Sequence, residues 1–353
     1  MVKDYEWELL LLIIKGINND NEEYFNTLFK DKKVNIARLW DISIKNKCFS
    51  LVGKAIFKYG AYKFMHPLYQ NQLKMNLDYT RRKNKIYFDM MKKLGSELQK
   101  NKVDYVYTKG IILINDLYED FECRGLNDID IIVSKKDKGK IKEILNTLGF
   151  IPGTYRLSDN KLVEISHEEQ VLYNVTGNKL CGHVKEIKDP FVHSIYVGVD
   201  FDFTWSHSEY NVDVNDVLKR RVERSIGENK EKITTMSCHD HFIYIILHLL
   251  KHAWSGILAQ YNDGATLMQF SDVFRYWNLY KEKLRKELAI YLSRYSLFEP
   301  VAWVLGHTDR LFHSNIVEEL SLDEYATESW LRSIVLKKDK QKEFSGNIME
   351  LLL

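Results

Sequence analysis

Apolar residues recur at three- and four-residue spacing from residue 5 to about residue 101, and this pattern predicts helices. The last of these helices is predicted to begin at Pro67, because proline is tolerated in a first helical turn. Its basic run of Arg81, Arg82 and Lys83 is interpreted as a solvated helix face. We therefore predict a helical N-terminal region at residues 1–101.

Short extended and helical segments alternate after residue 101. The pattern predicts, in chain order, extended segments at 103–107, 129–133, 161–165, 170–175 and 194–205, with helices at 111–118 and 138–148. Apolar spacing then becomes helical again, and Ser237 is the predicted N-cap of a long helix. The chain is thus divided into an α/β core at 102–235 and a helical C-terminal domain at 236–353.

Composition narrows the possible functions. The chain has 51 Lys and Arg against 49 Asp and Glu, a net charge of +2, whereas binders of long nucleic acid usually carry a basic excess. The longest aliphatic run, residues 9–14, is far shorter than the roughly 20 residues that cross a bilayer. Four widely separated cysteines favour a reducing compartment. We expect a cytoplasmic protein that binds neither a membrane nor long nucleic acid.

Two aspartates lie one pleat apart at the predicted strand 129–133. Alternate side chains of a strand share a face, so Asp128 and Asp130 point one way while Ile129 and Ile131 point into the core. A cation relieves the repulsion between two such carboxylates, and oxygen ligands suit Mg²⁺. The spacing therefore indicates a candidate magnesium site, although Asp-x-Asp also occurs in ordinary surface strands.

A second acidic segment follows at residues 199–203. Asp200 and Asp202 share one face of the predicted strand, opposite Val199, Phe201 and Phe203. If this strand pairs beside the first, three or four carboxylates meet, enough to hold two Mg²⁺ ions for an in-line phosphoryl displacement. The alternative is an edge strand with a solvated acidic face.

Lys109 and Gly110 lie between the first predicted strand and the following helix. Glycine allows close backbone approach, and free N–H groups at a helix start bind phosphate. Lys109 would neutralise a triphosphate. The alternative is a turn without any role in binding.

At this point the chain resembles a family of uncharacterised bacterial nucleotidyltransferases within the DNA polymerase beta-like nucleotidyltransferase superfamily. The resemblance covers most of the chain, and its acidic core is the specific part. The matching features are Lys109-Gly110, Leu117-Tyr118, Arg124, residues 128–133, Leu148-Gly149-Phe150, Val199-Asp200-Phe201, the histidine-containing helix 237–252 and Ser271-Asp272.

The resemblance implies an α+β fold with a polymerase beta-like core, a small mixed sheet flanked by helical N- and C-terminal regions. It also implies Mg²⁺-dependent transfer of a nucleoside monophosphate from an NTP such as ATP to an acceptor. The net charge near zero favours a small molecule or a short peptide as that acceptor. Two other functions remain open, a toxin-like nucleotidyltransferase acting on tRNA and a non-catalytic nucleotide-binding module.

The resemblance further implies roles for the acidic residues. Asp128 and Asp130 would bind both metal ions, and Asp200 would bind the catalytic ion and help deprotonate the acceptor. Asp202, where that family commonly has a histidine, would orient the acceptor or a metal-bound water.

The same resemblance implies that the nucleotide is bound by four residues, Thr108, Lys109, Gly110 and Arg124. Ile111 follows Gly110 at a position where the wider superfamily tends to have a serine that contacts the terminal phosphate. Phosphate binding would therefore depend on Lys109, Thr108 or the backbone.

Three histidines share a face of the helix after Ser237. His241, His248 and His252 are seven and four residues apart, without the glutamate of a zinc-protease motif. We expect them to be hydrogen-bonded, or to face the nucleotide or acceptor, rather than to bind zinc. His248, His252 and Asp272 are the candidates for contact with the acceptor or for support of the site.

Overall fold

The computed structural model separates the chain into two compact units. The helical unit comprises Met1–Thr80, Glu122–Gly125 and Ile245–Leu353, and the sheet unit comprises Arg81–Phe121 and Leu126–Tyr244. The predicted N- and C-terminal helical regions thus fall into one unit. The residues described are 4–118, 120–166, 168–171, 178–205, 208–227, 229–254, 264–337, 340–343, 348 and 352.

Helices account for the N-terminal hundred residues, as their apolar spacing predicts. Helix α5 begins at Pro67, as predicted, and runs for 34 residues. The helices of this region are α1 (Tyr5–Lys15), α2 (Asn19–Lys30), α3 (Ile36–Lys45), α4 (Phe49–Lys58) and α5 (Pro67–Lys100), with a 3₁₀ turn at Ala61–Phe64.

The remaining helices follow in both units. Ser237 precedes the helix Cys238–Trp254, and its Oγ accepts a hydrogen bond from the Asp240 amide at 3.3 Å, which confirms the predicted N-cap. These helices are α6 (Ile111–Leu117), α7 (Lys138–Thr147), α8 (Val214–Lys219), α9 (Cys238–Trp254), α10 (Leu267–Tyr295), α11 (Phe298–Phe312), α12 (Ile316–Glu319) and α13 (Glu328–Leu331).

The sheet unit contains one mixed sheet of eight strands, in the order β4-β3-β5-β6-β2-β1-β8-β7. Strand β2 is antiparallel to β1 and parallel to β6, and β1 is also parallel to β8. The strands are β1 (Tyr105–Tyr107), β2 (Ile129–Val133), β3 (Ile151–Arg156), β4 (Lys161–Glu164), β5 (His183–Glu186), β6 (Ser194–Asp200), β7 (Val222–Ile226) and β8 (Glu231–Thr235). A separate hairpin in the helical unit pairs β9 (Ser333–Lys337) with β10 (Lys340–Glu343).

Two of the extended segments expected from sequence are wrong in part. Strand β6 ends at Asp200 and residues 201–204 are bends, so the alternation that places Asp202 with Asp200 does not continue along a strand. Gln170 and Val171 are helical, and residues 172–175 lie outside the described residues. The prediction also missed β3, β5, β7 and β8, because polar side chains interrupt their apolar alternation.

One face of the sheet is the apolar core of this unit. Ile129 and Ile131 of β2 lie in the same buried cluster as Leu94 of α5, and the Tyr107 hydroxyl donates to the Met91 carbonyl at 2.6 Å. Because side chains alternate along β2, this packing directs its acidic side chains to the opposite face.

Two expectations from composition concern the whole chain. All four cysteines are free and buried, as their wide spacing predicts. Among the described residues, no helix combines the length and the apolar character needed to cross a membrane.

Candidate active site

Parallel pairing of β2 and β6 brings the predicted acids onto one face of the sheet. Asp130 lies directly opposite Gly198, and Asp200 lies opposite Ile132, two residues further along β6. From strand geometry, the Cα atoms of Asp130 and Asp200 are about 8 Å apart on the diagonal. Asp128 precedes β2 on the same face and is exposed, whereas Asp130 and Asp200 are half-buried. The two acidic segments are therefore neighbours, as the sequence predicts.

Gly198 makes room for the carboxylate of Asp130. A Cβ atom at position 198 would lie 2.6 Å from Asp130 Oδ1, closer than such contacts occur. The side chain of Asp130 therefore leans across β6 over the glycine. A glycine inside an otherwise apolar strand often marks such a close approach, and this signal was available in the sequence.

Lys109 forms an ion pair with Asp130 from the end of β1. Its Nζ lies 2.8 Å from Asp130 Oδ2, and the Thr108 amide donates to the Asp130 carbonyl at 3.1 Å. Burial alone would lower the pKa of Lys109, but the charges of Asp130 and Asp128 outweigh it and raise that pKa. Lys109 is thus a fixed cation between the two aspartates. Gly110 follows with a φ of 67°, a conformation that favours glycine, and precedes α6.

Tyr244 of α9 is a buried side chain at this site that the sequence prediction missed. Burial raises its pKa strongly, and the charges of Asp200 and Asp130 raise it further while Lys109 opposes them. Its hydroxyl therefore stays protonated near the acids, and its ring packs 5.3 Å from that of Phe203. The signal in the sequence was its position, three residues after His241 on the same helix face.

The residues at this site suit a divalent metal ion in kind. Asp130 and Asp200 share one face of the sheet, Asp128 directly precedes β2, and carboxylate oxygens are the ligands that Mg²⁺ prefers. Within the described ranges, however, no three His, Cys, Asp or Glu side chains are already placed to hold one ion. The ammonium of Lys109 instead lies against Asp130 Oδ2. A metal ion at Asp130 would therefore compete with Lys109 for that oxygen.

Arg124 and Asp272 form a buried ion pair within the helical unit. Arg124 Nε and Nη2 donate to the Asp272 carboxylate at 2.9 to 3.1 Å, in the two-pronged geometry that arginine favours. Only 4% of the Asp272 side chain is exposed. The assignment of Arg124 to the nucleotide and of Asp272 to the acceptor stays a prediction.

The other predicted residues have these surroundings. The rings of His248 and His252 are adjacent in the helical unit, with centroids 4.5 Å apart. His241 is buried in the sheet unit, where burial and the charge of Arg224 lower its pKa to about 3. Asp202 is half-buried, and burial raises its pKa while Lys135 opposes the shift. The roles given to these four side chains stay predictions.

Comparisons with known proteins complete this description. No curated protein sequence matches the chain. Among solved structures, the crystal structure of an antigenic nucleotidyltransferase-like protein from Paracoccidioides brasiliensis aligns over 58% of this chain and 87% of its own, with 14% identity and a TM-score of 0.31. Residues 32–313 match a family described as uncharacterised nucleotidyltransferase, in agreement with the resemblance that the acidic core shows. Nucleotidyl transfer is therefore the class of reaction, and the chain belongs to the uncharacterised nucleotidyltransferase family.

Proposed function

We propose that the chain transfers a nucleoside monophosphate from an NTP to a small-molecule or peptide acceptor in a Mg²⁺-dependent reaction. The observation that carries this proposal is the acidic face of β2 and β6, where Asp128, Asp130 and Asp200 lie beside the fixed cation Lys109. Bound Mg²⁺ would neutralise the triphosphate and make the acceptor hydroxyl more acidic. The polymerase beta-like identity of the core is part of the same proposal.

Each acid has a separate task in this proposal. Asp128 and Asp130 would hold the metal ions. Asp128 directly precedes β2, and Asp130 lies on it beside β6. Asp200 stands at the end of β6, where its carboxylate would accept the proton of the acceptor hydroxyl as that oxygen attacks the α-phosphorus. Pyrophosphate then leaves as the bond breaks between the α-phosphorus and the oxygen that bridges it to the β-phosphorus. The Tyr244 hydroxyl would donate a hydrogen bond to an oxygen of the bound substrate near Asp200.

Lys109 and Gly110 would hold the triphosphate. Asp130 would hold a metal ion in place of its 2.8 Å contact with Lys109, and the Lys109 ammonium would then donate to phosphate oxygens. Gly110 has no side chain and therefore lets the phosphates approach the backbone. Lys109, which neutralises Asp130 in this structure, would thus neutralise the triphosphate in the complex.

The acceptor is proposed to be small rather than an RNA, because basic side chains of the sheet unit are already bound to acids. Arg82 donates to Asp189 with two nitrogens, and Arg221 lies 3.0 Å from Asp104. Arg220 is likewise paired through its guanidinium with an acid of α9. These arginines belong to the basic runs 81–85 and 219–221, the two runs that could line an RNA-binding track, so both runs are partly neutralised.

Nucleotide binding tests this proposal. Each of ATP, GTP, CTP and UTP would be titrated into the protein by calorimetry with and without Mg²⁺. We expect one or more of them to bind only with Mg²⁺, and Asp128→Asn to weaken that binding at least tenfold because one metal ligand is lost. Asp159→Asn, at an exposed aspartate on a turn, is the matched control.

Release of pyrophosphate in the presence of candidate acceptors then separates an enzyme from a binding module. Screening amino acids, short peptides, aminoglycosides and bulk tRNA would identify the class of acceptor. Absence of binding by all four nucleotides, with Asp128→Asn indistinguishable from the parent protein, would contradict the proposal. Turnover on tRNA alone would replace the small acceptor with the RNA alternative.

A further inference from the structure

Helix α5 holds the segment that leads into Asp128. The Leu126 amide donates to Asn84 Oδ1 at 3.0 Å, and the Tyr87 hydroxyl donates to the Asn127 carbonyl at 2.8 Å. Asn84 Nδ2 also donates to the Phe121 carbonyl. Both Asn84 and Tyr87 are buried. The residues just before the acidic strand are therefore fixed by side chains of one helix.

Lys83 belongs to this group of α5 side chains and lies against Asn127, the residue that directly precedes Asp128. Its Nζ lies 3.4 Å from Asn127 Oδ1 and 5.7 Å from the centre of the Tyr87 ring. Burial lowers the pKa of Lys83, and the negative charge of Asp128 acts in the opposite direction. Lys83 is thus a half-buried cation in the electrostatic field of Asp128.

The neighbours of Lys83 in sequence behave differently. Arg82 is exposed and binds Asp189, and Lys85 is exposed. Successive helical residues are rotated by about 100°, so adjacent basic residues point to different surroundings. The sequence predicts a solvated face for this basic run; Arg81 and Arg82 are exposed as predicted, whereas Lys83 is half-buried.

A second lysine would provide further positive charge and hydrogen-bond donors for a triphosphate at this site. Asp128, Asp130 and Asp200 carry three negative charges against the single positive charge of Lys109. Mg²⁺ ions would offset the charge of a bound triphosphate but donate no hydrogen bonds, so the phosphate oxygens that no ion contacts would still need donors. An ammonium group has three donors, whereas the described contacts of Lys83 include one long hydrogen bond, to an amide oxygen. Phosphate oxygens are stronger acceptors for such a group.

We propose that Lys83 is a phosphate-binding residue of the active site, which holds the triphosphate before transfer and the pyrophosphate after it. This inference rests on the proposed function. Lys109 would bind the phosphates from the side of β1 and Asp130, and Lys83 from the side of α5 and Asp128. A flexible four-carbon side chain allows its ammonium to move from Asn127 to the phosphates.

Binding of inorganic pyrophosphate with excess Mg²⁺ tests the proposal without knowledge of the base or the acceptor. Calorimetric titrations would compare the parent protein with Lys83→Met, Lys83→Arg and the control Lys85→Met. We expect Lys83→Met to weaken binding about tenfold or more, because a charged hydrogen bond is lost, and Lys83→Arg to restore most of it. Lys85→Met should bind like the parent protein.

A second measurement separates phosphate binding from a structural role. Lys83→Met should raise the KM for the NTP more than it lowers kcat, while its thermal unfolding stays near that of the parent protein. Lys83→Gln, which keeps a polar group beside Asn127, serves if Lys83→Met does not fold, and the same loss of pyrophosphate binding is expected.

The outcomes keep the two proposals distinct. Pyrophosphate binding that is lost in Asp130→Asn but unchanged in Lys83→Met or Lys83→Gln would overturn the role of Lys83 and leave the proposed function intact. Failure of the parent protein to bind pyrophosphate and every NTP would overturn both.

Discussion

Each unit of the molecule contains a carboxylate held by a cation, and the two pairs differ in what they leave available. In the helical unit, Arg124 grips Asp272 with two nitrogens, and the carboxylate is almost fully buried. In the sheet unit, Lys109 contacts Asp130 through one oxygen at 2.8 Å, and 12% of the Asp130 side chain is exposed. A planar guanidinium binds both oxygens of a carboxylate, whereas an ammonium contacts one oxygen, and a metal ion can compete for it more easily.

The surroundings of the two pairs support the same distinction. Cys48 lies near Asp272, and burial together with that carboxylate raises the pKa of its thiol, so it remains protonated and unreactive. Around Asp130, by contrast, Asp128 is exposed and Asp200 is half-buried. We infer that the pair in the helical unit maintains structure and that the pair in the sheet unit serves chemistry. Four substitutions test this inference.

Asp130→Asn is expected to have the largest effect on activity. It removes a proposed metal ligand and the charge that pairs with Lys109, so kcat/KM should fall by about 10³-fold or more. The free energy of unfolding should change by no more than about 2 kcal/mol, because Asp130 is paired through one oxygen and asparagine can still accept that hydrogen bond. Pyrophosphate release and urea unfolding measure the two quantities. Activity within tenfold of the parent protein would show that the site lies elsewhere.

Asp272→Asn should reduce stability rather than act directly on catalysis. It leaves the Arg124 guanidinium buried without its counter-charge, so the protein should lose about 3 kcal/mol of unfolding free energy. Urea unfolding followed by circular dichroism measures the loss. Asp159→Asn, at an exposed pair, is the control and should shift stability by less than about 0.5 kcal/mol. A loss below about 1 kcal/mol would mean that the buried pair contributes little more than a surface pair.

Gly198→Ala examines the space over which the carboxylate of Asp130 lies. The added Cβ would stand 2.6 Å from Asp130 Oδ1, so the carboxylate must turn away. We expect kcat/KM to fall roughly 10-fold to 100-fold, because a shift of about 1 Å in a reacting group has that order of effect. Gly182→Ala is the control, since its Cβ would meet nothing within 4 Å. Equal kinetics for the two variants would contradict the positioning role of Gly198.

Tyr244→Phe is expected to have the smallest effect. It removes one hydroxyl donor near Asp200 and keeps the ring that packs on Phe203, so turnover should fall only a fewfold. Steady-state rates of pyrophosphate release would reveal this change. A loss as large as that of Asp130→Asn would mean that the hydroxyl takes a direct part in the reaction.

Local patterns predicted the positions of two elements of the fold well. The strand 129–133 and the helix start at Pro67 agree with the structure, because alternation and proline geometry are local properties of the chain. The pairing of Asp130 with Gly198 depends on register between strands about 70 residues apart, which spacing along the chain does not contain. The direction of Lys83 was missed for a related reason: a run of basic residues does not show which member faces the sheet.

The contact between Asp130 and Gly198 also bears on how this sequence can change over time. While the aspartate is present, a side chain at position 198 collides with its carboxylate, so the two positions are epistatic. Loss of the acid would release the constraint and allow an ordinary strand residue at 198. Among divergent copies of this gene, an aspartate at 130 with a glycine at 198 would therefore mark those that retain this placement of the carboxylate. A bulky residue at 198 would mark those that have lost it.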